Sequence, residues 1–154
     1  MNRDTRELDQ VLTVFLVRER SIAGVLDALW SGRLYAVGQY KKGFGLRLDS
    51  FRLECAGGTR GAESGELLNP AGARDLTLKL AVTATDRGSH PVTVTVIRSG
   101  VVAARLEGRT PFVQQFADTG VPPGVWHAYR IAVESGPDGE ILSNPIFVGP
   151  VPAQ

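Results

Sequence analysis

Cysteine, methionine and histidine are nearly absent: the 154 residues include one Cys, one Met and two His. The lone Cys55 excludes an internal disulfide and any cysteine-rich zinc site, and it leaves the redox compartment open, so a cytosolic setting is compatible with the chain. A zinc or manganese hydrolase needs three or more converging His, Asp, Glu or Cys ligands, usually announced by HxH, DxH or HExxH, and none of these spacings occurs. Long apolar runs are also missing. The stretch Val11–Val17 falls far short of the roughly 20 residues of a spanning helix, and the charged MNRDTRELDQ ahead of it is unlike a signal peptide. No membrane span is therefore expected. Lys and Arg number 17 against 16 Asp and Glu, a net charge of +1, which supplies no global field toward nucleic acid or an anionic membrane.

With 43% apolar residues the chain can bury one sizeable core, and its length favours a single domain. Near the start, the β-branched run VLTVFLV at 11–17 reads as a short strand buried on both faces, or as the end of a buried segment. Ser21 then caps a helix whose apolar residues Ile22, Val25, Leu26, Leu29 and Trp30 share one stripe, and Gly32 stands where a left-handed C-terminal cap is wanted. Leu34–Val37 follows as a strand. Residues 1–42 thus form a strand-helix-strand segment, set apart from residues 43–149.

After Gly43 the pattern has period two and is punctuated by Gly and Pro. Leu46 and Leu48 alternate in one phase and Phe51, Leu53 and Cys55 in the other, which predicts a bulge or bend near Asp49–Ser50. Residues 57–74 predict a long Gly-rich loop with a short pairing at Leu67–Leu68. Leu76–Val82 alternates as a half-buried strand, and Ser99–Gly100 turns a hairpin between Val92–Val96 and Val101–Leu106. Further strands are expected at Phe112–Phe116, at Val125–Val133 and, after the turn GPDG at 136–139, over Ile141–Val148. The fold class expected is mainly β: an immunoglobulin-like sandwich of about seven antiparallel strands behind the strand-helix-strand segment.

Candidate chemistry is sparse. Cys55 lies on an apolar alternating face and reads as a small hydrophobe rather than a nucleophile. His90, beside Pro91, reads as a solvated turn residue, and His127 as a core or interface histidine with one hydrogen bond. The string GGTRGAESG suggests a phosphate-cradling loop, but no helix follows to complete one. Asp49, Glu54, Glu63, Glu66 and Asp118 show no spacing that would pair two of them for glycoside chemistry. Trp30 belongs to the helix stripe and reads as core. Trp126 alternates onto the face of Arg130 and Glu134, where it is either a ligand platform or, more simply, the inter-sheet core Trp of a sandwich. Trp126, His127 and Arg130 are the candidate ligand or interface residues; catalytic, cofactor and metal residues are not expected.

The segment SIAGVLDALWSGRLYAV, with Ala28, Leu29, Gly32, Arg33 and Tyr35, resembles the AL-x-x-GR-x-Y segment that closes the catalytic domain of PHP-type metal-dependent phosphoesterases. SGEL at 64–67, VTVIRSGVV at 94–102, YRIAVE at 129–134 and SNPIFV at 143–148 resemble the C-terminal sandwich appended to some of those enzymes. The resemblance implies that residues 11–40 are the last strand and helix of a metal-binding barrel and that residues 43–148 are an accessory sandwich. It carries no catalytic residue across, because the family's ligands lie upstream of these segments. On this reading the chain is a non-catalytic accessory domain, not an enzyme on its own. Its partners are the upstream catalytic domain of the same polypeptide and a second copy meeting it through residues 11–40. The alternative is a sandwich module that binds carbohydrate or a cell-envelope polymer through Trp126 and the 57–74 loop.

Overall fold

A computed structural model describes residues 11–38, 44–58, 60–136 and 139–150. The order is β1 (Val11–Phe15), α1 (Ile22–Trp30), β2 (Leu34–Gly38), β3 (Leu46–Cys55), β4 (Gly61–Glu63), β5 (Leu67–Leu68) and β6 (Leu76–Ala84). There follow β7 (Pro91–Arg98), β8 (Val101–Arg109), β9 (Phe112–Asp118), β10 (His127–Glu134), β11 (Glu140–Ser143) and β12 (Ile146–Val148). The protein is mainly β and its strands form two sheets, as the alternating pattern predicts.

The smaller sheet has the order β4-β3-β6-β9. In the larger one β10 is central: β7 and then β8 lie on one flank, and β11 and β12 follow one another along the other. β11 continues to β2 and β1, while β12 pairs with β5 in parallel, a departure from the all-antiparallel expectation. The two sheets enclose one core, in which Leu53, Leu78, Leu80 and Val82 face Val94, Val96, Ile131 and Ile146, all 1% exposed or less. Tyr35 and Val37 of β2 enter the same core, so β1 and β2 share a sheet with the strands that follow residue 43.

Local chemistry explains the elements. Ser21 Oγ accepts the Gly24 N–H at 3.0 Å and caps α1, and Gly32 takes φ +70° just past its end. The register slips between Leu48 and Ser50, which reverses the inward phase so that Leu48, Phe51 and Leu53 are all buried. Ser99 and Gly100 both have positive φ, the two-residue turn whose twist suits a hairpin.

Four expectations fail. Val11 and Leu12 are more than half exposed, because among the described residues β1 pairs only with β2 and forms the edge of its sheet. Trp30 is 86% exposed rather than core, since the stripe of α1 turns away from the sandwich. The last strand is broken at Asn144–Pro145, where the Pro has no N–H for a ladder, and β11 and β12 take different neighbours beyond it. β10 begins at His127, leaving Val125 exposed in the approach. Of the GPDG turn, Pro137 and Asp138 lie outside the described residues.

Candidate functional site

The flank formed by β1 and α1 is fastened at the C-terminal end of the helix. Gly65 packs against Ser31 and Gly32 so closely that a Cβ there would collide with the Ser31 carbonyl. Asn144 Nδ2 donates to the Gly32 carbonyl at 3.1 Å, and the Gly65 N–H donates to the Pro145 carbonyl at 2.8 Å. Arg33, only 7% exposed, pairs with Asp27 of the helix and reaches the Leu16 carbonyl. Three of the segments singled out in the sequence, around Gly32, Gly65 and Asn144, therefore meet at one junction. From it α1 presents Ile22, Val25, Leu26, Leu29 and Trp30 to solvent, Ile22 at 83% exposure. An open groove of about 610 Å³ runs beside this stripe, lined by Val17, Arg20, Ser21, Ile22, Val25 and Leu26.

Trp126, His127 and Arg130 do not converge as one group. Arg130 is exposed on the outer face of the larger sheet, opposite Ile97, and makes no ion pair among the described residues. Trp126 lies on that face too, half exposed. His127 turns the other way: its Nδ1 is 3.4 Å from Ser99 Oγ, and Nε2 is shielded with no hydrogen-bond partner among the described residues. A core or interface histidine with one hydrogen bond was the expectation, and the contact with Ser99 at 3.4 Å is the one side-chain hydrogen bond His127 makes among the described residues.

His90 differs from its expectation. It is not a freely solvated turn residue: its ring stacks on Phe44 at 3.6 Å between centroids, and Nε2 meets both Asp86 carboxylate oxygens at 2.9 and 3.1 Å. The Gly88 N–H and the imidazole hold the Asp86 carboxyl below its ordinary range. Cys55 is in the core, and burial pushes its thiol up, away from thiolate chemistry. Among the carboxylates, Glu54 is taken by Lys79 at 2.7 Å and Arg52 at 2.9 Å, which lower its pKa. Asp49 accepts from Arg47 and Thr83. Among the described residues no three His, Cys, Asp or Glu side chains are grouped to hold a metal ion.

Two features escape a reading of the sequence. Phe147 and Leu67, both about 40% exposed, share the outer face with Trp126 and Arg130; the inward Ile146 and Val148 on either side of Phe147 were the available signal. The second is a clamp between the sheets: Asp118 of β9, 8% exposed, accepts both Arg98 of β7 at 2.8 Å and 2.9 Å and the Tyr129 hydroxyl of β10 at 2.8 Å. No family model matches the chain, and no curated protein matches it either.

Proposed function

We propose that this chain is a non-catalytic accessory module that docks, through the apolar stripe of α1, on a catalytic domain of the PHP metal-dependent phosphoesterase type in the same polypeptide. The observation that carries the docking is the stripe itself. Five large apolar side chains, two of them more than 80% exposed, stand on a helix whose C-terminal end is fixed by Gly65, Asn144 and Arg33. Contiguous exposed apolar surface of this kind marks an interaction site, and the anchoring holds it in one orientation. The identity of the partner rests on the resemblance of the 21–37, 64–67 and 143–148 segments. The immunoglobulin-like reading belongs here as well: the antiparallel strands β3, β6 and β9 of one sheet packed across a common core from β8, β7 and β10 of the other support it.

The coding sequence upstream of Met1 tests the partner. A barrel domain with HxH and DxH ligand motifs is expected there, and an unrelated or absent upstream domain overturns the assignment. The docking surface has its own test. The chain alone should associate with itself in a concentration-dependent way by sedimentation, and Ile22→Glu with Trp30→Glu should abolish this; a monomer at all concentrations overturns the apolar stripe as a docking face. The purified chain should turn over no phosphate ester with manganese or zinc added, and metal-dependent turnover would sink the non-catalytic reading.

A further inference from the structure

Trp126 is held in an unusual posture by a glycine. A Cβ built at Gly149 would come within 2.6, 2.7 and 3.0 Å of three atoms of the six-membered indole ring, Cδ2, Cε3 and Cε2. Three near-equal distances mean that the ring lies face-on over the Gly149 backbone, and only a residue without a side chain permits this. One face of the indole rests on the sheet, and the residue is still 50% exposed, so the opposite face is open to solvent. A Trp serving as the inter-sheet core residue would be enclosed instead.

The surroundings extend this ring into a platform. Phe147 stands two residues from Gly149 on the same face of its strand, about 7 Å along it, and register places it between Ala128 and Leu67. Arg130 follows on β10, two residues past Ala128. Arg105 also points outward, opposite Thr95, one row farther along β8. Neither guanidinium has an ion pair among the described residues. One more row along, Glu107 and Glu134 flank Thr93 and end the positive region.

We propose that the outer face of the larger sheet at Trp126, Phe147 and Arg130 binds an acidic oligosaccharide, a pyranose ring stacked on the indole and a uronate carboxylate paired with Arg130. The C–H face of a pyranose complements the negative face of an aromatic ring, and a planar guanidinium matches a carboxylate bidentately. A polymer with a phosphate on every unit fits worse. It would need a basic track, whereas this face offers, among the described residues, Arg130 and Arg105 and then a row of Glu107, Glu134 and Glu140. The site is separate from the α1 stripe and stands without it.

Calorimetric titration of the whole chain with a galacturonic acid tetrasaccharide, neutral cellotetraose and a short oligothymidylate tests the proposal. The uronate is expected to bind most tightly. Trp126→Ala should weaken it about tenfold, Trp126→Phe should retain most of the affinity, and Arg130→Met should weaken the uronate about fivefold while leaving cellotetraose unaffected. Circular dichroism identifies any variant that has lost the fold, and Trp126→Phe preserves a test should Trp126→Ala do so. No heat with the uronate, uronate binding unchanged by both Trp126 variants, equal affinity for cellotetraose with no effect of Arg130→Met, or tighter binding of oligothymidylate each overturns it.

Discussion

Replacing Asp118 by Ala should be among the most damaging single changes outside the apolar core. Its carboxylate is 8% exposed and joins three strands of two sheets by accepting Arg98 Nη1 on both oxygens and the Tyr129 hydroxyl. Removing one partner of a buried ion pair costs about 3–5 kcal/mol, most of it from the charge left behind. Here Arg98 keeps a third of its side chain in water, which lets it rehydrate and moves the estimate toward the low end. Tyr129 is 0% exposed, so its orphaned hydroxyl adds about 1–3 kcal/mol unless water enters the gap. A loss of about 4–6 kcal/mol is expected, a large share of the roughly 5–15 kcal/mol that stabilises a domain. Tyr129→Phe leaves the Arg98–Asp118 pair intact and should cost only about 1 kcal/mol. Urea unfolding of both variants and of the double variant reads these values. In the Tyr129→Phe background Asp118→Ala should cost less, because no hydroxyl is orphaned. A loss below about 1 kcal/mol for Asp118→Ala would refute the reasoning, since Arg98 and Tyr129 would then be satisfied by solvent as well as by the carboxylate.

The sheets were legible in the sequence wherever one face of a strand is buried and the other wet, as in Leu76–Val82 and Val92–Val96. The irregularity at Leu48–Ser50 was visible because the apolar set changes phase there, which a bulge or bend must accommodate. Alternation, however, says which residues share a face and not which neighbour covers it. That is why VLTVF looked like a doubly buried strand and is an edge, and why the α1 stripe, correct in its spacing, misplaced Trp30 in the core. The candidate site was legible in part for the same reason. Trp126 and Arg130 were assigned to one face, but Phe147 joins that face through the antiparallel pairing of β12 with β10, and Leu67 through the parallel pairing of β5 with β12, contacts between residues far apart in sequence. Gly149 carries no pattern at all; its role exists only once the Trp126 ring lies on it. Asp118 was weighed as one carboxylate among several, because nothing local announces that Arg98 and Tyr129 arrive from other strands.

Two further outcomes follow from particular positions. Gly24→Ala, which in an ordinary helix gains about 1 kcal/mol, should destabilise the chain, because the added Cβ strikes the Glu19 carbonyl that closes the turn ahead of α1; a raised urea midpoint would refute the contact. The second concerns alkali. Burial raises the phenol pKa of both Tyr35 and Tyr129, and the Asp118 carboxylate that accepts from Tyr129 raises it further. An unfolded Tyr ionises near 10, so above that pH the unfolded chain releases protons that the folded one retains. The stability due to these phenols is complete below about pH 10 and falls as pH rises past it. Absorbance at 295 nm and far-ultraviolet circular dichroism, followed together, should show both phenols ionising only as the fold is lost. Tyr129→Phe should make the loss less steep, since one of the two retained protons is then missing from the folded state. Reversible ionisation of both phenols near pH 10 with the circular dichroism unchanged would mean that Tyr129 is not closed off between the sheets, and with it the clamp to Asp118 would fail.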